Sequence, residues 1–186
     1  MLEKQLREHS ELEIWRLLLL PVTMADAKTM FAYTSDIENT KWGFPANQTI
    51  EETKNVIENI YLKSPLGRYG IVLKEISEFI GTVDLMNWSD GKEAEIGYII
   101  NKKFWGHGLA TEASAKILEL CFEVLGFEEV HAFCALENPA SVRVLTKLGM
   151  IEMERLQNNK KYPGGWVTSQ HFCVTKVNYS KWKVLK

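Results

Sequence analysis

Residues 95–113, EIGYIINKKFWGHGLATEA, decide the fold. An apolar, β-branched run to Ile100 gives way to a loop holding Gly106 and Gly108, and an apolar stripe at helical spacing starts at Ala110. Strand, glycine turn and helix in that order bring unpaired N–H groups and the positive end of a helix dipole to one spot. Two glycines let the backbone approach a ligand closely. The expected guest is a phosphorylated cofactor.

Working outward, Ala110, Ala113, Ile117, Cys121 and Val124 make one helical stripe, and Gly126 stands where such a helix stops. A strand over 129–136 follows. Asn138-Pro139, a cap with proline in the first turn, opens a second helix that Gly149 ends. Upstream, residues 68–74, 79–88 and 93–101 read as strands, with Ser89-Asp90-Gly91-Lys92 as a hairpin signal, so an antiparallel meander feeds the glycine loop. Arg16 to Val22 is an earlier apolar strand. Thr23 caps a helix to about Thr34, and Thr49, with Glu51 and Glu52 behind it, starts another that ends before Ser64-Pro65. Residues 1–14 form a polar, partly helical lead-in. Strands over 150–156 and 167–177, separated by a turn-rich stretch from Asn158 to Gly165, complete the expectation.

A chain of 186 residues, 46% hydrophobic, suffices for one core, and a single domain over 1–186 is expected. With 22 basic and 24 acidic residues nearly balanced, charge points to neither nucleic acid nor a membrane. From Asn158 onward there are six lysines and no acid, a cationic tail read as solvated. Cys121, Cys134 and Cys173 are odd in number and lie in apolar segments, which suits buried thiols in a reducing cytoplasm. His9, His107, His131 and His171 show no ligand spacing, so no metal is expected. The four leucines from Leu17 to Leu20, bounded by Arg16 and Pro21, are too few to span a bilayer.

The loop is sorted by what it lacks. A phosphate loop of the nucleotide hydrolases ends in Gly-Lys-Ser/Thr, but Gly108 is followed by Leu109 and Ala110. A dinucleotide fingerprint has a third glycine, and Thr111 occupies that place.

The same residues, together with 135–150, ALENPASVRVLTKLGM, resemble the acetyl-CoA-binding half of the GNAT N-acetyltransferases, in particular the branch of ribosomal-protein N-terminal acetyltransferases. The strand from Arg16 and the Thr23-x-x-Asp26 helix start are similar to the beginning of that branch. The resemblance implies an α/β (α+β) fold with a mixed central sheet of about six to seven strands, mostly antiparallel with a central parallel pair, flanked by helices. Two positions depart from the pattern. Trp105 stands where the family commonly has a glutamine or arginine, which removes one phosphate cation, and Leu20 stands where many relatives carry an arginine.

The resemblance further implies acetyl-CoA as co-substrate, without metal, and an amine acceptor. Trp105, Gly106, His107, Gly108, Leu109, Ala110 and Thr111 form the loop, whose N–H groups from His107 onward would hold the pyrophosphate. Ile99, Ile100 and Asn101 would offer backbone groups to the pantetheine arm, with a donor near Ile99 for the carbonyl oxygen. Glu95 is the first candidate for the base and Asp84 the reserve; Asn138 binds CoA and Ser141 is the candidate acid. Arg143 and Lys147 lie further along the same helix. Trp42, Gly43, Phe44 and Pro45, with Tyr162 and Trp166, are candidate walls of the acceptor site. Direct transfer to a protein N-terminus by a cytoplasmic monomer or homodimer is the leading expectation. A small amine such as an amino acid, polyamine or aminoglycoside, and a non-catalytic CoA-binding module, are the alternatives.

Overall fold

The computed structural model describes residues 1–88, 91–162 and 165–184. Ser89, Asp90, Pro163, Gly164, Lys186 and the side chain of Tyr162, expected in turns, tail and wall, lie outside the described residues.

Eight strands form one sheet in the order β1-β2-β3-β4-β5-β6-β8-β7. They are β1 (Leu12–Glu13), β2 (Leu17–Leu20), β3 (Arg68–Leu73), β4 (Glu78–Met86), β5 (Glu93–Ile100), β6 (Glu129–Ala135), β7 (Ile151–Tyr162) and β8 (Gly165–Thr175). Only β5 and β6 run parallel among the described pairs, as expected, and the strand count exceeds the expected six to seven through the short β1.

On one face lie α1 (Leu2–Glu8), α5 (Leu109–Glu119, widened to a π turn through Leu125), α6 (Pro139–Lys147) and α7 (Lys176–Val184). The other carries α2 (Ala27–Thr34), α3 (Ile37–Thr40) and α4 (Ile50–Val56, again with a π turn to Leu62), packed at the β2–β5 end. Local chemistry sets these boundaries. Thr23 N–H and Asp26 Oδ2 close a capping box at 2.7 Å ahead of α2. The Thr49 hydroxyl accepts from Glu52 N–H at 3.3 Å. Gly126 and Gly149 end their helices with φ of 78° and 77°, a conformation that costs other residues energy.

The α5 stripe is realised: Ala113, Ile117 and Cys121 are wholly buried, and Ala110 and Val124 pack half-buried against the same core. Ile117→Ala is expected to lower unfolding free energy by about 2–5 kcal/mol in a denaturant titration, through lost burial and the cavity left behind.

Three expectations change. Residues 158–162 are strand and not loop: β7 continues to Tyr162, paired with Gly165, and absorbs a bulge between Leu156 and Lys160 where Asn158 takes φ 44°. The segment from Lys176 is helical, and α7 lays Trp182 over Gly149 with its indole N–H on the Lys147 carbonyl at 3.0 Å. The short helix α3 lies where no element was expected; the Asp36 carboxylate caps it by accepting from Glu38 N–H at 2.9 Å.

Candidate active site

β5 and β6 pair only from Glu93↔Glu129 to Glu95↔His131, and beyond that point they part. β5 continues beside β4 to Ile100, and β6 continues beside β8 to Ala135, so a wedge opens between them. Backbone alternation shows which groups face it. Lys92 C=O accepts from Glu128 N–H on the β6 side, and Asn101 N–H donates to Ile80 C=O on the β4 side. Even-numbered residues of β5 therefore aim at β6, and odd-numbered ones at β4. The peptide groups of Tyr98 thus face the wedge. Ile99 and Asn101, expected there, are turned into the sheet. The Ile100 carbonyl is engaged too, accepting from Trp105 Nε1 at 2.7 Å and Asn39 Nδ2 at 3.1 Å.

Past β5 lies the glycine loop. Gly106 and Gly108 have φ of 81° and 76°, and Gly108 is the N-cap of α5, with no side chain to satisfy the helix start. The first helical bond is Glu112 N–H to Gly108 C=O at 3.0 Å, so the N–H groups of Leu109, Ala110 and Thr111 have no acceptor within the helix. Trp105 and His107 are exposed or half-exposed at the rim, and Leu109 is buried. This cradle suits a phosphate by backbone dipoles rather than by side chains.

A cation missed in the sequence stands beside it. Arg16, leading into β2, pairs with Glu112 at 2.7 Å and donates from Nη1 to the His107 carbonyl at 3.0 Å; Nη2 lies 3.8 Å from where a Gly108 side chain would begin. Arg16 therefore neutralises the acid in the first turn of α5 and braces the loop. Nothing local in the sequence signals a pairing across 96 residues.

On the α6 side of the wedge, Asn138 Oδ1 accepts from Ser141 N–H at 3.2 Å, capping α6 behind Pro139. The Ser141 hydroxyl lies 2.8 Å from the Tyr98 hydroxyl, joining β5 to α6 across the opening. Burial pushes the Tyr98 phenol above its ordinary range, although the Ser141 hydrogen bond works against that, and pushes the neighbouring Cys134 thiol up to about 11. Tyr98 was not singled out in the sequence, where it reads as an ordinary strand aromatic. Arg143 and Lys147 are exposed on α6.

The opposite face of β4 and β5 holds the carboxylates. Residues opposite one another share a face, so Glu95 with Met86, the gap at Gly97 with Asp84, and Ile99 with Thr82 lie on one face, where Ile99 packs into the cluster of α2 and α4. Glu95 is half-buried and accepts from Asn87 Nδ2 at 2.8 Å. Asp84 is deeper. Its side chain is 17% exposed, Oδ2 faces Arg68 Nη1 at 3.5 Å, and Oδ1 is shielded from solvent without a hydrogen-bond partner. Burial raises its pKa to about 7, only partly offset by the Arg68 charge and a Tyr61 hydrogen bond. The Tyr61 hydroxyl also reaches Thr82 at 3.3 Å.

The rim above is built by α3. Asn39 ties it to the end of β5 through Ile100 C=O and Lys102 N–H, the latter at 2.6 Å, and the turn with Trp42 and Phe44 follows directly. Trp166, the other expected wall, is 62% exposed at the start of β8.

Comparison with known proteins agrees with this geometry. Residues 16–151 match the family model described as the acetyltransferase (GNAT) domain. An uncharacterized N-acetyltransferase, p20, from Bacillus licheniformis is 29% identical over 171 residues, covering 89% of this chain and 96% of that protein. YoaA, an uncharacterized N-acetyltransferase from Bacillus subtilis, is 33% identical over 143 residues, 74% of this chain and 81% of the relative. A shorter match, 33% over 92 residues and about half of each chain (49% and 48%), is to the Bacillus subtilis protein named "Putative ribosomal N-acetyltransferase YdaF". Among solved structures, a GNAT acetyltransferase from Bacillus anthracis superposes with a TM-score of 0.82 at 22% identity, covering 90% of this chain and 99% of that one. Spermidine N-acetyltransferase from Vibrio cholerae, in complex with CoA and spermine, gives a TM-score of 0.75 at 18% identity, with 89% and 98% covered. No described helix is long and apolar enough to cross a membrane. The parted strands, the uncapped helix over a glycine loop and the family match over most of the chain lead to one statement: this protein belongs to the GNAT acetyltransferase family and is an acyltransferase that moves an acetyl group to an amine.

Proposed function

We propose that the chain takes acetyl from acetyl-CoA and transfers it directly to the N-terminal α-amine of a protein or peptide. The observation that carries this reading is the parting of β5 and β6 directly above the uncapped start of α5. The donor supplies an activated thioester; the chain supplies position and proton movement. N–H groups of Gly108 to Thr111 would hold the pyrophosphate, and the wedge-facing peptide groups of Tyr98 would pair with the pantetheine arm and hydrogen-bond the carbonyl oxygen. Ser141, backed by Tyr98 and set by the Asn138 cap, would return a proton to the leaving sulfur.

An α-amine has a pKa near ~8 and must lose a proton to attack. Two carboxylates reach its side of the sheet. Glu95, nearer the surface, would attract the ammonium; Asp84, whose proton affinity is matched to neutral pH, would remove the proton. Exposed Trp105, with its indole N–H on the Ile100 carbonyl, and exposed Phe44, in the turn after α3, would give the mouth an open aromatic rim suited to a polypeptide end. The name of YdaF supports the same acceptor class. Buried, unpaired thiols at Cys121, Cys134 and Cys173 support a cytoplasmic setting.

Release of free CoA, measured with acetyl-CoA and a panel of peptides, spermidine, amino acids and aminoglycosides, tests donor and acceptor together. Turnover of peptides with free N-termini and not of blocked ones is expected. Preference for a small amine would replace the acceptor, and no release with any of them, together with no thermal stabilisation by acetyl-CoA, would sink the reading; bound ligand at about a hundred times its Kd contributes roughly 2.7 kcal/mol. Gly108→Val, which forces a β-branched residue to φ 76°, is expected to weaken acetyl-CoA binding at least tenfold in calorimetry.

A further inference from the structure

Beyond the helices of the second layer, β5, β6 and β8 carry a polar cluster on the same face as Glu95. Its members are Glu93 of β5, Glu129 and His131 of β6, and Cys173 of β8, brought level by the pairs Glu93↔Glu129 and His131↔Cys173. His131 Nε2 lies 3.6 Å from Glu129 Oε2 and 3.7 Å from Glu93 Oε2, and Cys173 Sγ lies 3.7 Å from Glu129 Oε2. One donor atom from each of Glu129, His131 and Cys173 falls within 4.8 Å of the others. His131 Nε2 is shielded from solvent and has no hydrogen-bond partner.

The other ring nitrogen explains how Nε2 is aimed. His131 Nδ1 lies 3.0 Å from His171 Nε2, and His171 Nδ1 faces Glu154 Oε1 at 3.6 Å. The ring of Phe133 stacks on His171 with centroids 4.6 Å apart. When Nδ1 donates its proton to His171, the Nε2 lone pair points bare into the cluster. A carboxylate behind a histidine is a usual means of orienting a metal ligand, and here Glu154 acts through the imidazole of His171.

We propose that Glu129, His131 and Cys173 bind a zinc ion, with Glu93 closing the fourth position. A tetrahedron with bonds of about 2.0 Å to nitrogen and oxygen and about 2.3 Å to sulfur has edges of roughly 3.3 to 3.6 Å. The pairs at 3.6 and 3.7 Å contract to that by a few tenths of an ångström, and the remaining separation among Glu129, His131 and Cys173, at most 4.8 Å, closes by up to about an ångström. One sulfur, one imidazole and carboxylate oxygen suit a borderline cation better than magnesium or calcium, which take oxygen alone. The Cys173 thiol, which donates to Glu129 Oε2, gives up its proton on binding: the S–H bond breaks, the sulfur pair bonds zinc, and one proton passes to solvent. The ion would staple three strands at the point where β5 and β6 begin to part.

No metal was expected because the cysteines and histidines make no C-x-x-C, H-x-H or H-E-x-x-H spacing; His131 and Cys173 meet only through strand pairing. Metal-stripped, tag-free full-length protein titrated with cobalt(II) decides the matter without reference to acetyl transfer. One equivalent should bind with a thiolate-to-cobalt charge-transfer band and intense tetrahedral visible bands. Zinc should displace it and raise Tm. Cys173→Ser should remove the charge-transfer band, His131→Ala should abolish stoichiometric binding, and His171→Asn should weaken it by about 10- to 100-fold. No charge-transfer band from the folded wild-type chain overturns the proposal, as does a band that survives Cys173→Ser.

Discussion

Asp84→Asn lowers kcat by about 10² to 10⁴ and removes the acid limb of the pH–rate profile, which in the wild-type protein bends near pH 7. Asparagine keeps the size and the neutral charge of the protonated acid but cannot take a proton. The same variant has a signature in stability. Below the ordinary aspartate range Asp84 holds its proton in both folded and unfolded chains. As pH rises toward about 7, the unfolded carboxyl ionises while the folded one stays protonated, so folding binds an extra proton and stability falls. That falling component between the ordinary range and about 7 should be missing from the Tm profile of Asp84→Asn, and the variant should gain on the wild type across that window. If the acid limb persists, the proton goes to Glu95 instead, and Glu95→Gln will remove it.

Gly81→Ala is expected to be the most damaging single methyl among the described glycines. A side chain at that position would overlap the carbonyl oxygen of Ile99 and stand 2.9 Å from Ile100 Cα, both backbone atoms of the strand that walls the wedge. No rotamer relieves such a contact, so β5 must move away from β4. A cost of about 3 kcal/mol or more follows, which at this size is a fall of roughly 6–12 °C in Tm by calorimetry. Gly106→Ala makes the control. Its φ of 81° is strained, but nothing lies within 4 Å, so only about 1–2 kcal/mol of conformational cost is expected.

These two residues show where sequence reasoning reaches and where it stops. The loop, the α5 stripe, the Asn138-Pro139 cap and the helix-ending Gly126 and Gly149 were legible because each depends on neighbours within one or two turns. Gly81 was not, since its constraint comes from Ile99 and Ile100 of β5, which strand pairing and not chain neighbourhood sets beside it. Tyr98 and Ser141 meet across 43 residues, and Arg16 and Glu112 across 96. Glu95 attracted attention by its place before the loop, whereas the burial that raises Asp84, in a setting shared with Tyr61 and Arg68, is a tertiary property. The long β7 escaped notice for a similar reason. Gln157 to Lys161 has no apolar alternation, and β8 alone makes it a strand.

The two ends of the sheet have a consequence for the protein at high concentration. An open strand edge is a template on which a second molecule can add, and a sheet of eight strands has two. At one end β1 offers only Leu12 and Glu13, too short to seed pairing. At the other, β7 is long and almost wholly exposed, but its bulge at Asn158 breaks the row of donors and acceptors, and Lys160 and Lys161 follow at once. The irregular, lysine-bearing end of the hairpin acts as a guard against fibrous self-association, leaving the polypeptide free to present its catalytic face instead of its edge.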